Sequence, residues 1–150
     1  MGFMDLFKFG KDKGEKVFEN DAEAAARITS QIEGVLAGIK DLDVKFDDGT
    51  VTLCGECENQ AVREQAVLLA GNVQGVSGVL ANELTVAETT EPEEKVEFYE
   101  IKSGDSLSKI AKHYYGDPMA YKRIFEANRS VLGDDPDKIY PGQQIRIPLD

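Results

Sequence analysis

Two cysteines lie close together in Leu53-Cys54-Gly55-Glu56-Cys57, at the spacing of a redox dithiol or of half a zinc site. A redox pair opens a helix after a strand in a thioredoxin-like setting, whereas this pair closes a predicted strand. Zinc would need two further ligands, and the single histidine, His113, is far away in the chain. The pair therefore reads as two small residues at a strand end. Asp43, Asp47 and Asp48 are acids that could serve a reaction or calcium. The EF-hand spacing D-x-[DN]-x-[DN]-G is absent, however, and a turn accounts for Asp47-Asp48-Gly49. His113 stands beside Tyr114 and Tyr115 without a nearby nucleophile, which favours a surface or half-buried structural role. No catalytic constellation emerges, and the expectation is a protein that is not an enzyme.

Composition bounds what those residues can belong to. The 150 residues are 41% hydrophobic and 30% charged, with 28 acidic against 17 basic side chains and a formal net charge of −11. That is enough apolar material for a packed core, and the length suits one ordinary domain or two small ones. Residues 1–94 hold 19 acids and 8 bases while residues 95–150 hold 9 of each, so the whole excess lies in the first part. Such asymmetry points to two modules with separate jobs. Bulk acidity disfavours nucleic-acid backbones and anionic lipid, and no apolar run nears the ~20 residues that span a bilayer. Lys8, Lys11, Lys13 and Lys16 could form a local basic patch, though a solvated face explains them. Asp5 and Lys8 interrupt the apolar N-terminus and no h-region follows, so the expected location is the cytoplasm.

The elements are legible from periodicity. Residues 1–19 mix Phe3, Leu6, Phe7, Phe9, Val17 and Phe18 with charges, too apolar for a solvated tail, so this segment is expected to dock on the body. Asn20 with Glu23 resembles a capping box, and Ala25, Ile28, Ile32, Val35, Leu36 and Ile39 fall at helical spacing. Val44 to Leu53 reads as a hairpin around Asp48-Gly49. A second helix starts near Asn59 and stops at a Gly71-Asn72 C-cap, and Val79 to Val86 is a third strand. Ala87 to Lys95 is a linker. Beyond it come a strand at Phe98–Ile101, a helix over Leu107–Tyr114, a helix after Asp117-Pro118 ending near Asn128, and a strand at Gln144–Ile147. The fold class is α+β in two small domains, αββαβ then βααβ, with boundaries at 1–19, 20–87, 88–96 and 97–150.

Residues 99–148 strongly resemble a LysM domain. The resemblance rests on Tyr99 through Ala111 with its Ser103-Gly104-Asp105-Ser106-Leu107, on Tyr115-Gly116, on Ile124 through Asn128, and on Ile139 through Pro148. Residues from about 20 to 87 resemble a BON domain in Asp48-Gly49-Thr50-Val51-Thr52-Leu53-Cys54-Gly55-Glu56 and Leu69-Ala70-Gly71-Asn72-Val73-Gln74-Gly75-Val76. One BON and one LysM domain in about 150 residues, opening with Phe7 through Lys16, is similar to a family of small bacterial cytoplasmic potassium-binding proteins.

The resemblance implies a potassium ion as ligand, a K+ sensor or buffer with a stress-response role, an intramolecular BON–LysM contact on ion-coupled compaction, and a monomer. It implies that the ion is held by backbone carbonyls of the N-terminal segment and the loop after the second helix, here Gly10, Lys13, Phe18, Gly71 and Val73. Potassium is large and weakly polarising, so carbonyls that replace its water shell suit it, whereas carboxylate cages suit calcium or magnesium. The end of a helix supplies carbonyls at the negative end of its dipole, and glycines in Ala70–Gly75 would permit unusual dihedrals. Without the family, Gly71-Asn72 reads first as a helix C-cap. LysM domains typically bind N-acetylglucosamine polymers such as peptidoglycan, so a cell-envelope glycan-binding protein using Gly104, Asp105 and Ser106 is the alternative.

Overall fold

The computed structural model describes residues 6–9, 21–73, 76–87 and 95–149. The chain forms two compact units, Met1–Glu91 and Pro92–Asp150, and the class is α+β.

In the first unit the elements run β1 (Leu6–Lys8), α1 (Asp21–Val35), β2 (Ile39–Asp47), β3 (Thr50–Cys57), α2 (Gln60–Gly71) and β4 (Gly78–Val86). The sheet order is β1-β4-β3-β2. The β2–β3 hairpin is antiparallel and turns at Asp48 (φ 47°) and Gly49 (φ 81°), the left-handed pair a tight two-residue turn requires. β3 and β4 are parallel, so α2 is the crossover between them. The N-cap of α2 is Asn59, whose Oδ1 accepts from Val62 N at 2.9 Å. Helical and strand periodicity converge on one core: Ile28 and Ile32 of α1, Val51 and Leu53 of β3, Val67 of α2 and Val79 of β4 are all buried.

Two features depart from the expectations. Leu6, Phe7 and Lys8, for which the sequence suggests no strand, pair antiparallel with Leu80, Val79 and Gly78. Ile39, placed on the first helix by its spacing, instead opens β2 opposite Cys57. The helix ends at Val35 and the chain turns at Gly38, whose φ of +93° no helix accommodates. Asn20 lies outside the described residues.

β4 carries one residue more than β3 between the pairs Thr52↔Leu80 and Cys54↔Glu83. A bulge of this kind leaves carbonyls without ladder partners. Arg63 of α2 fills the need: Nε donates to Leu84 O at 2.7 Å and Nη2 to Ala81 O at 2.9 Å.

The second unit pairs β5 (Val96–Glu100) antiparallel with β6 (Gln144–Pro148) and lays helices against the ribbon. These are α3 (Leu107–Tyr115), a 3-10 turn at Pro118–Ala120, α4 (Tyr121–Ala127) and the short α5 (Arg129–Leu132). Ser106 caps the start of α3 and Gly116 (φ 75°) its end. Asp117 and Pro118 initiate the 3-10 turn rather than α4 itself. The core is Ile101, Leu107, Ile110, Ile124, Ile145 and Ile147 with their neighbours. Asn128, fully buried, ties this core together. Its Nδ2 donates to Ile124 O (2.7 Å) and Arg146 O (2.8 Å), and its Oδ1 accepts from Arg146 N (2.8 Å).

Candidate functional site

The C-terminal end of α2 is where the sequence places a cluster of main-chain oxygens, and β1 leads directly to it. Phe9 follows β1, is 6% exposed, and donates its N–H to Ser77 O at 2.9 Å. Ser77 in turn donates its N–H to Gly49 O at 2.7 Å. These two bonds pin residue 9 and the far end of the post-α2 loop to the β2–β3 turn. The Phe9 ring lies over Gly71: a Cβ built there would stand 2.0 Å from Phe9 Cζ. The structure thus brings the residue before Gly10 against Gly71, two parts of the chain that the sequence links only through the family resemblance.

The carbonyls at this end are partly engaged. Leu68 O accepts from Asn72 N (2.9 Å), Ala70 O from Val73 N (3.4 Å) and Val73 O from Val76 N (3.2 Å). A carbonyl has two lone pairs, so an oxygen in such a bond can also face a cation. The last turn of α2 contains no basic side chain to compete for them. Gly71 itself is helical and Asn72 caps in the right-handed region at φ −79°, so neither needs glycine-like dihedrals. Gly10, Lys13 and Phe18 lie outside the described residues, as do Lys11 and Lys16 of the basic patch. Among the described residues no group of three or more His, Cys, Asp or Glu side chains could hold a metal ion. The oxygens described at this end of α2 are main-chain carbonyls, a neutral donor type that suits a large monovalent cation better than a small divalent one.

The remaining candidates take structural places. Cys57 ends β3, buried, its thiol pushed up to about 11 by burial. Cys54 donates to Glu83 Oε2 at 3.2 Å, and burial followed by that carboxylate raises its thiol too. Both cysteines are free, and neither is poised as a thiolate. Asp47 closes β2 and Asp48 makes the turn. Asp43 pairs with Cys54 in the hairpin. His113 is exposed, with its ring edge-on to Tyr114 at 5.1 Å.

In the second unit Gly104 adopts φ 88° in the turn before α3, and its carbonyl accepts from Lys109 Nζ at 3.1 Å. Asp105 Oδ2 accepts from Tyr99 OH at 2.5 Å and Lys102 N at 2.9 Å, and Ser106 Oγ accepts from Lys109 N at 3.2 Å. Gly104 O, Asp105 Oδ2 and Ser106 Oγ each accept a bond that helps hold the turn together. A cleft of about 280 Å³ lies alongside, lined by Tyr99, Asp105, Lys109, Ile110, His113 and Tyr114. Tyr114 donates to Glu97 at its rim.

Comparison with known proteins follows the same division. Residues 20–88 match the BON domain family and residues 99–148 the LysM domain family. The chain is 36% identical over 154 aligned residues to the "Potassium binding protein Kbp" of Escherichia coli O6:H1, an alignment covering 97% of this chain and 99% of that protein. The chain belongs to the BON–LysM family of Kbp. An uncharacterized protein of Deinococcus radiodurans is 40% identical over 144 residues, which cover 90% of this chain and 55% of that protein. In the BON–LysM family frame, Gly71 and Val73 fall within the BON match and Gly104, Asp105 and Ser106 within the LysM match. Phe9 precedes the BON match altogether, which is why no reading of the BON domain by itself points to it. Among the described residues no helix is long and apolar enough to cross a membrane.

Proposed function

We propose that the protein binds potassium through main-chain carbonyls contributed by its N-terminal segment and the loop after α2, with Gly10, Lys13, Phe18, Gly71 and Val73 as the ligands. It works without catalysis, as a monomeric cytoplasmic ion sensor or buffer with a stress-response role, and ion binding couples to compaction of its BON and LysM domains. The observation that supports this reading is the packing of Phe9, the residue next to Gly10 in the chain, on Gly71. The full-length likeness to a protein named for potassium binding selects the ion.

The physical mechanism is replacement of a water shell. Neutral carbonyls at the end of α2 carry the partial negative charge of its dipole, and their number and spacing set the preference for a large ion. The acidic excess of residues 1–94 biases the local field toward cations. Its reach is limited to a Debye length of ~8 Å at physiological salt. An ion held only by the compact state stabilises that state by mass action. The melting temperature therefore rises with potassium chloride and not with sodium chloride. Removal of residues 1–19 abolishes that rise, and potassium binding at full strength by the shortened chain refutes the reading.

The second reading, N-acetylglucosamine polymer binding, is supported by the LysM match and the cleft beside Tyr99. The engagement of Gly104, Asp105 and Ser106 in the turn weighs against it. Retention of the full chain on peptidoglycan at low salt separates the two.

A further inference from the structure

Gly71 occupies a helical position, where alanine is the better residue. Its dihedrals give no reason for glycine. Space does: an added Cβ would lie 2.0, 2.1 and 2.3 Å from Cζ, Cε1 and Cε2 of Phe9. The ring cannot swing away cheaply, because Phe9 is buried and its N–H is bonded to Ser77 O. The strand leading to it is fixed by the register Leu6↔Leu80, Phe7↔Val79 and Lys8↔Gly78. Phe7 and Phe9 share one face of the extended chain, and both meet α2. The guanidinium carbon of Arg63, held by the Ala81 and Leu84 carbonyls, stands 5.9 Å from the Phe7 ring centroid.

We propose that Phe9 is a positioning residue of the cation site, its ring seated in the notch that Gly71 leaves open, and that this seating sets how the chain at Phe9, next to Gly10, is held relative to the end of α2. The inference rests on the carbonyl site described under Proposed function. A carbonyl cage selects its ion by donor number and spacing. A rigid aromatic ring against Gly71 fixes where Phe9 stands relative to the end of α2 in a way a flexible side chain would not.

The test uses the full chain and four variants: Gly71→Ala, Phe9→Ala, Phe9→Leu and, as a stability control away from the site, Val44→Ala on the edge strand β2. Potassium affinity is measured by calorimetry at a temperature where each variant is folded, and melting is followed without potassium. Gly71→Ala lowers the potassium-free melting temperature although alanine is the better helix former. Gly71→Ala and Phe9→Ala each weaken potassium binding at least about tenfold, equivalent to ~1.4 kcal/mol, and Phe9→Leu weakens it less. Val44→Ala melts earlier yet keeps its affinity within about twofold, as distant sites do. Unchanged affinity in both Gly71→Ala and Phe9→Ala overturns the positioning role while leaving the potassium reading intact. An equal loss in Val44→Ala also overturns it, since stability alone would then explain the effect. No potassium binding by the unaltered protein refutes the functional reading instead.

Discussion

The Phe9 ring occupies the space that a side chain at Gly71 would need. One contact thereby joins the residue after β1 to the end of the crossover helix α2. The ladder between β1 and β4 and the Phe9 N–H bond to Ser77 O reinforce it. Gly71 is itself a ligand of the proposed cation site and Phe9 is next to Gly10 in the chain, so the contact bears on that proposal.

Arg63 joins the helix to the bulged strand, and its loss should be felt widely. Replacement by Met leaves the Ala81 and Leu84 carbonyls without their charged donor. The expected loss is about 2–3 kcal/mol, read as a lower urea midpoint. Lys at this position recovers only part of it, since an ammonium cannot reproduce the fork that serves both oxygens. A midpoint unchanged in the Met variant contradicts the assignment.

Asn128 makes three hydrogen bonds at a fully buried position. Asn128→Ala removes them and leaves the Arg146 N–H and two carbonyls short of a partner. Destabilisation of the LysM unit by about 2–4 kcal/mol follows, measurable by urea denaturation monitored through tyrosine fluorescence. Potassium binding by the BON unit should survive the substitution wherever the chain remains folded.

The Tyr99–Asp105 bond gives the LysM unit a pH signature. The hydrogen bond to Asp105, then burial, pushes the Tyr99 phenol from its ordinary 10.0 up to about 12. The same bond, aided by Lys102 N, holds the Asp105 carboxyl below its ordinary 3.8. A lowered acid contributes stability above its unfolded pKa and loses it as pH falls through the folded one. A raised phenol contributes stability below 10 and loses it as pH climbs toward about 12. Stability should therefore decline at both ends, below about 4 and above about 10. Tyr99→Phe should flatten the alkaline limb and shrink the acid limb, leaving the part due to Lys102 N. An unaltered profile of denaturant midpoint against pH in that variant contradicts the bond's role.

The cysteines should behave as inert thiols. Burial raises both, Cys57 to about 11. Alkylation at neutral pH in the native protein should be at least about tenfold slower than in urea. Cys57→Ser should cost about 1–3 kcal/mol because a hydroxyl is placed in an apolar site. Rapid native alkylation with loss of binding would revive a redox role.

Much of this architecture is legible in the sequence where information is local. The Asp48-Gly49 turn, the helix start near Asn59, the helix over Leu107–Tyr114 and the two-domain order all follow from short patterns. What escapes is non-local. Leu6-Phe7-Lys8 is too short to show alternation, and it becomes a strand only because β4 offers an edge. Ile39 fits the helical pitch of Ile32 and Val35, yet the left-handed turn at Gly38 outweighs that rhythm. Gly71 beside Asn72 looks like a C-cap, but the reason for its missing side chain is a ring contributed from far earlier in the chain. Nor does the sequence show that the Ala70 and Val73 carbonyls accept amide bonds. Those bonds depend on how the loop closes, which composition cannot show.

The account stands most directly on calorimetric titration of the full, dialysed chain with potassium, sodium and calcium chlorides. It predicts a saturable heat with potassium, none with sodium over the same range, and none with calcium. A heat with calcium and not with potassium would contradict it, since neutral carbonyls around Gly71 would then not be the ligands.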